Sequence, residues 1–166
     1  MIKVLFVCLG NICRSPTAHS VFRQRVDEAG LSHLIKIDSA GTGDWHIGKA
    51  PDKRATKTAE ERGYVMKDLR ARQVSAKDFS EFDYVLAMDA QNLRDLEAMR
   101  PNNFAGHLSL FLDFSQHNVS QDVPDPYYGG DEGFLDVLSM VEECSDQLLK
   151  SISSSPKFTS LSNSQN

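Results

Sequence analysis

Cys8, Gly10, Asn11, Arg14 and Ser15 all fall within the ten residues VCLGNICRSP at positions 7–16. Together they offer a nucleophile, a planar cation and a hydroxyl around one turn of chain. A loop running from a strand into a helix start points several N–H groups inward, and the helix adds positive potential there. Gly10 is expected to let the chain turn tightly and bring amides close to a ligand. Arg14 adds a two-pronged grip on a phosphate-like oxyanion. The same donors favour a thiolate, and Ser15 can give it one more hydrogen bond. Cys8 is therefore a candidate nucleophile toward phosphorus. The nucleotide-binding P-loop is excluded, because no lysine follows a glycine in the GxxxxGK[ST] register.

Such a loop needs a strand before it and a helix after it. IKVLFV (2–7) reads as a buried strand. Ser15 reads as the cap of a helix with Pro16 at its first position, and Val21, Phe22, Val26 and Ala29 keep helical spacing up to Gly30. Further strands are expected at 34–38, at 83–88 and within 106–114. Charged helices fill DKRATKTAEERG (52–63) and AQNLRDLEAMR (90–100), and SAKDF offers a cap at Ser75 and a brief helix. A last helix over about 134–152 carries Leu135, Leu138, Val141, Leu148 and Leu149 on an apolar face. Strands alternating with helices predict an α/β fold: a single-domain, open, four-stranded parallel sheet with helices on both faces. Ligands of such sheets sit beyond the carboxyl ends of the strands, where the Cys8 loop lies. The domain is expected over 1–152, and the polar, serine-rich 153–166 is expected to be a mobile tail.

A chain of 166 residues, 40% hydrophobic, suits one ordinary domain with its own core. The formal charge of −5 argues against a general nucleic-acid binder. No apolar stretch is long enough to span a bilayer, and the opening MIKVLFVCLG lacks the length and cleavage site of a signal peptide. A cytoplasmic protein is expected, with neither nucleic acid nor membrane among its partners. Three cysteines are too few and odd in number for a disulfide framework. Cys8 and Cys13 have four residues between them, and no metal-ligand spacing appears. No metal and no cofactor are expected. Cys144 reads as a small core residue.

Beyond the loop, DSAGTGDWHIG (38–48), PDKR (51–54) and DPYYGG (125–130) follow in order. With VCLGNICRSP they resemble the low-molecular-weight protein tyrosine phosphatases, whose signature is Cys-x5-Arg-Ser/Thr near the N-terminus. The resemblance covers roughly residues 1–152 and implies a flavodoxin-like, phosphatase I type fold. It implies that Cys8 forms a phosphocysteine, that Arg14 and the amides of Leu9, Gly10, Asn11, Ile12 and Cys13 bind the phosphoryl oxygens, and that Asn11 holds the loop's shape. By the same resemblance Ser15 supports the thiolate, and Asp125 protonates the leaving phenolate and then activates the hydrolytic water. Tyr127 and Tyr128 match rim aromatics beside the substrate ring, with Trp45 in the opposite wall. Tyrosine-phosphorylated proteins would be the partners, and phosphate or other oxyanions inhibitors. The family also uses a second loop cysteine, here Cys13, to trap an oxidised nucleophile as a disulfide. One departure stands out: many relatives carry a histidine that supports the asparagine, where this chain has Leu69.

Bland readings compete at each position. A cysteine after a strand is usually a buried small side chain, and Asp-Pro commonly starts a turn. Asp122 is the rival carboxylate but lacks the Pro-Tyr-Tyr that follows Asp125. His46 reads as a solvated or hydrogen-bonded loop residue. Arsenate reduction would need further cysteines, and residues 80–100 contain none. A protein-arginine phosphatase resembles this pattern but carries threonine where this chain has Ile12. A non-catalytic phosphate-binding module would lack one of Cys8, Arg14 and Asp125. An active protein-tyrosine phosphatase is the reading that all three support.

Overall fold

The computed structural model describes residues 1–118 and 121–165. Strand β1 (Ile2–Cys8) lies inside a four-stranded sheet ordered β2–β1–β3–β4, with β2 at Ile35–Gly41, β3 at Tyr84–Ala87 and β4 at His107–Leu110. Every pairing is parallel, as the alternation of elements predicts. The chain leaves β1 toward β2 on one side and returns to β3 on the other. That reversal opens a crevice beyond Cys8 and Ala87, the usual place for a ligand in an open parallel sheet.

Side chains of β1 alternate between two cores. Val4, Phe6 and Cys8 face α1 (Arg14–Glu28) and α5 (Asp131–Ser153). Leu5 and Val7 face Phe79 of α3 (Asp78–Glu81), Phe82, and Leu96 of α4 (Ala90–Met99). Phe6 meets Phe22 and Phe111 edge-on, with ring centroids 5.8 and 5.1 Å away. It lies two residues before Cys8 on the same face and so floors the site; truncating such a ring costs about 3–5 kcal/mol.

Four expectations about helices need correction. Ser15 does not cap α1, which already starts at Arg14 with Cys13 in the cap position; the Ser15 hydroxyl is engaged with Cys8 instead. The last long helix begins at Asp131, three residues before the expected 134, and its buried face is Phe134, Val137, Leu138, Val141, Cys144, Leu148 and Ile152, leaving Leu135 exposed. Ala29 likewise lies outside the core, at the end of α1. In place of a mobile tail after 152, α6 spans Pro156–Asn163. Ser155 Oγ accepts from the Phe158 N–H (3.3 Å), Phe158 is buried against the main core, and Lys157 Nζ donates to Asp83 Oδ1 (2.6 Å). One aromatic anchor and a capped first turn order a segment that its polar composition marked as loose. Asn166 lies outside the described residues.

Candidate active site

The loop from Cys8 to Ser15 is turned inside out by its neighbours. Its carbonyls bond outward: Cys8 O accepts from Thr42 N (2.9 Å), Leu9 O from Gly43 N (2.9 Å), Ile12 O from Asp52 N (2.8 Å) and Cys13 O from Thr17 N (3.2 Å). The N–H groups of Gly10, Ile12 and Cys13 find no acceptor among the described residues. Amides freed this way, at the start of α1, make an anion cradle.

Asn11 fixes the curl. It is the only non-glycine with positive φ among the described residues, at 57°. Asparagine tolerates that region better than most side chains. Its Nδ2 donates to Ser15 Oγ (2.8 Å), its Oδ1 accepts from Arg72 N (3.0 Å), and its own N–H points at Cys8 Sγ (3.2 Å). The support missing at Leu69 thus comes from the Arg72 backbone. Arg72 is itself held by Asp38 (3.0 Å) and Asp78 (2.9 Å).

Ser15 Oγ lies 3.0 Å from Cys8 Sγ and 3.4 Å from the Ala40 carbonyl. A hydroxyl has one hydrogen, and Asn11 already occupies a lone pair. The shorter approach gives that hydrogen to the sulfur. Cys8, Asn11 and Ser15 are all buried. Asn11 and Ser15 stand behind the sulfur rather than on the cleft wall.

The cleft above Cys8 has a volume of about 60 Å³ and is lined by Leu9, Gly10, Ile12, Cys13, Arg14, Trp45, His46, Asp125, Tyr127 and Tyr128 with Cys8 at its base. A larger hollow of about 720 Å³ between α1 and β2 includes Arg23, Asp27 and Lys36 but none of the candidate nucleophiles, so size does not mark the site. Arg14 is 3% exposed and donates through Nη1 to Asp89 Oδ2 (2.7 Å) and to the Val123 carbonyl (3.1 Å), while Nη2 is 3.5 Å from Asp125 Oδ2. Burial opposes its charge, but Cys8, Asp89 and Asp125 outweigh that and hold the guanidinium above its ordinary value. Burial, then Asp52, pushes the Cys13 thiol up.

Asp125 accepts the Tyr127 N–H on Oδ1 (3.1 Å), which leaves Oδ2 toward Arg14. Asp122, the rival, accepts from Ala90 N at the start of α4 (2.9 Å) and takes no place in the cleft. Trp45 is 57% exposed, and its ring covers the space beside Gly43 where a side chain would stand. Tyr127 and Tyr128 stand edge to face, centroids 4.9 Å apart.

Two glycines work by absence of bulk rather than by torsion. A Cβ on Gly10 would meet His46 Cδ2 at 2.9 Å, and φ at Gly10 is not positive, so the tight-turn reason expected for it does not hold. His46, expected as a solvated or hydrogen-bonded loop residue, lines the cleft with Nδ1 buried and without a partner among the described residues. A Cβ on Gly41 would meet the Leu9 carbonyl at 2.7 Å. The end of β2 is therefore in backbone contact with the loop.

Sequence reasoning missed Asp89, Gly41 and Arg54. Asp89 follows β3 at its carboxyl end and caps α4 through Asn92 N (2.7 Å), just before the helix expected at 90–100. Its place beyond a strand of a parallel sheet was the available signal.

Residues 3–157 match the family described as low molecular weight phosphotyrosine protein phosphatase. The chain is 47% identical over 152 residues to the low molecular weight phosphotyrosine protein phosphatase of Schizosaccharomyces pombe, covering 91% of this chain and 97% of that one. It superposes on a protein tyrosine phosphatase from Entamoeba histolytica, solved with Hepes in its active site, at TM-score 0.87 and 38% identity, covering 92% and 97%. A drosophila arginine phosphatase superposes at TM-score 0.86 with 31% identity, covering 92% and 99%.

Proposed function

We infer the function from the premise that this chain belongs to the low molecular weight phosphotyrosine protein phosphatase family and is a protein-tyrosine phosphatase. From that premise we propose that Cys8, Arg14 and Asp125 carry the reaction. The observation that supports this is one cleft holding a buried sulfur, bonded by Ser15 Oγ and Asn11 N, beneath a buried guanidinium and an outlying carboxyl.

The phosphoryl group of a protein phosphotyrosine lies against the loop amides and Arg14, its ring between Trp45 and the Tyr127–Tyr128 pair. Cys8 Sγ attacks phosphorus as the P–O bond to the ring breaks, and the Asp125 carboxyl gives its proton to the departing oxygen. The product is a phosphocysteine and tyrosine. Asp125, now a carboxylate, takes a proton from water as that water attacks phosphorus. The S–P bond breaks, and inorganic phosphate leaves with the thiolate restored. Oriented amides and the Arg14 fork stabilise the equatorial oxygens without having to reorganise. Inorganic phosphate and other oxyanions occupy the same cradle as inhibitors.

Among the described residues no helix is long and apolar enough to cross a membrane. We place the enzyme in the cytoplasm, acting on tyrosine-phosphorylated proteins without a metal or cofactor. Arginine phosphatase activity is not favoured, since Ile12 is an apolar wall and two tyrosines suit an aryl ring. Arsenate reduction is disfavoured by Cys144, which is buried in α5 and donates to the Phe111 carbonyl (3.0 Å), away from the cleft. The test is turnover on matched peptides bearing phosphotyrosine, phosphoserine or phosphoarginine, and on arsenate. Preference for phosphotyrosine by about a hundredfold or more is expected from the fit of an aryl ring. Faster release of phosphate from the phosphoarginine peptide would overturn the reading.

A further inference from the structure

The proposed acid sits on a segment, 121–130, without helix or strand. Its near end is fastened at Val123, whose N–H donates to the Met88 carbonyl (2.7 Å) and whose carbonyl accepts from Arg14 (3.1 Å). Beyond Asp125, the bonds to residues 126–130 from outside this segment and α5 come, among the described residues, from one side chain, Arg54. Its Nη2 donates to the Tyr127 carbonyl (2.9 Å) and its Nη1 lies 3.5 Å from the Gly129 carbonyl. The guanidinium carbon stands 5.5 Å from the Tyr127 ring centroid and 4.6 Å from that of Phe134 in α5.

An arginine paired with a nearby aspartate on a helix surface is ordinarily worth little. Here the partner has a second attachment. Asp52 accepts from Arg54 Nε (3.3 Å) and Nη2 (3.2 Å), and the Asp52 N–H donates to the Ile12 carbonyl of the phosphate-binding loop (2.8 Å). At the far end, the Tyr127 N–H holds Asp125 Oδ1 (3.1 Å). The bonds run Ile12, Asp52, Arg54, Tyr127, Asp125 without a break.

We propose that Arg54 is a positioning residue that sets the Asp125 carboxyl over Cys8 by tying the acid loop to the phosphate-binding loop through Asp52. The proposal rests on Asp125 being the general acid. Arg54 touches no reacting atom; it acts by where it holds the Tyr127 peptide. A displacement of about 1 Å at a proton donor is enough to cost up to a hundredfold.

The experiment compares kcat/KM, which covers the steps up to departure of the phenol, for phenyl phosphate and for 2,4-dinitrophenyl phosphate. Arg54→Met should lower the first by about tenfold and the second by about twofold or less, because only the poor leaving group needs the proton. Arg54→Lys should share most of that loss, since an ammonium cannot bond both carbonyls and stack between the rings. In an Asp125→Asn background, Arg54→Met should add no selective loss. If Arg54→Met fails to fold, judged by its thermal midpoint, Arg54→Lys carries both comparisons. Equal losses on the two substrates, or the same selective loss without the acid, would overturn the proposal. A non-selective Asp125→Asn enzyme that still hydrolyses phosphotyrosine would overturn it too, while leaving the phosphatase reading intact.

Discussion

The Cys8–Ser15 loop, proposed to bind phosphate, and the 121–130 loop that carries the proposed acid, which we call the acid loop, face each other across one cleft and are built on opposite plans. Cys8, Asn11 and Ser15 are buried, and Asn11 alone makes three hydrogen bonds that define the curl. Across from them, the Asp125 side chain is 35% exposed and Tyr128 is 89% exposed. Two arginines, Arg14 and Arg54, fasten that side by its backbone. The difference follows from what each half has to do. Charge on the phosphoryl oxygens is best met by dipoles that are already in place, whereas substrate and product must pass the acid side.

The sharpest break between the halves is Cys8→Ser. It should cut turnover of any aryl phosphate by roughly ten-thousandfold or more while phosphate still binds the loop. The check is phosphate titration alongside activity, and near wild-type turnover would end the assignment. Next in size is acid sensitivity of the scaffold under the rigid half. His19 in α1 bonds Ser39 of β2 (3.0 Å), and burial, then Arg23, pushes its pKa from 6.5 to about 4. Below pH 6.5 the unfolded chain takes up a proton that the buried ring refuses until about pH 4. Stability is therefore full above that window and lost as pH falls through it, by about 3 kcal/mol in all at about 1.4 kcal/mol per unit. Urea midpoints at pH 7 and pH 4.5 measure it; a His19→Gln variant with an equally steep decline would show that another group is responsible.

Asp125→Asn should touch only the exposed half, slowing phenyl phosphate by about a hundredfold and a good leaving group far less. Asp122→Asn serves as the contrast: it should loosen the start of α4 without leaving-group selectivity, and selectivity there would move the acid to Asp122. The smallest effect belongs to Cys13. Peroxide takes the Cys8 sulfur to a sulfenic acid, and the Cys13 thiol can condense with it, giving a disulfide and water. Burial holds Cys13 protonated, which makes it a slow partner. After matched oxidation, Cys13→Ser should recover about two- to threefold less activity with a dithiol than the unaltered protein. Equal recovery, with no Cys8–Cys13 peptide found by mass spectrometry, would leave Cys13 as packing.

The rigid half was legible in the sequence because its residues are neighbours: Cys8, Asn11, Arg14 and Ser15 sit within eight positions. The four parallel strands were legible for a similar reason, each being a short apolar run between helical stretches. What escaped notice acts across the fold. Asp89 reads as a helix cap until Arg14 is seen against it, 75 positions away. Arg54 is one charge in a charged helix, and its partners lie 73 and 75 positions on. Gly41 looks like any residue of a glycine-rich stretch until the Leu9 carbonyl is placed beside it. The helix at 156–163 was hidden by composition, although Ser155-Pro156 carries the cap-then-proline start that Ser15-Pro16 only imitates.

The alternation of β1 between two cores has a consequence for how this chain tolerates change in length. Phe6 and Cys8 share the α1 side, and Val7 looks the other way. A single-residue deletion or insertion between Val4 and Cys8 that kept the strand paired would turn the sulfur toward Phe79 and Leu96, away from Ser15 and the loop amides. The cysteine would remain in the chain, and Arg14, six residues on, would carry its hold on Val123 out of place with it. Besides buried apolar side chains, this strand must keep the count of residues between its start and Cys8.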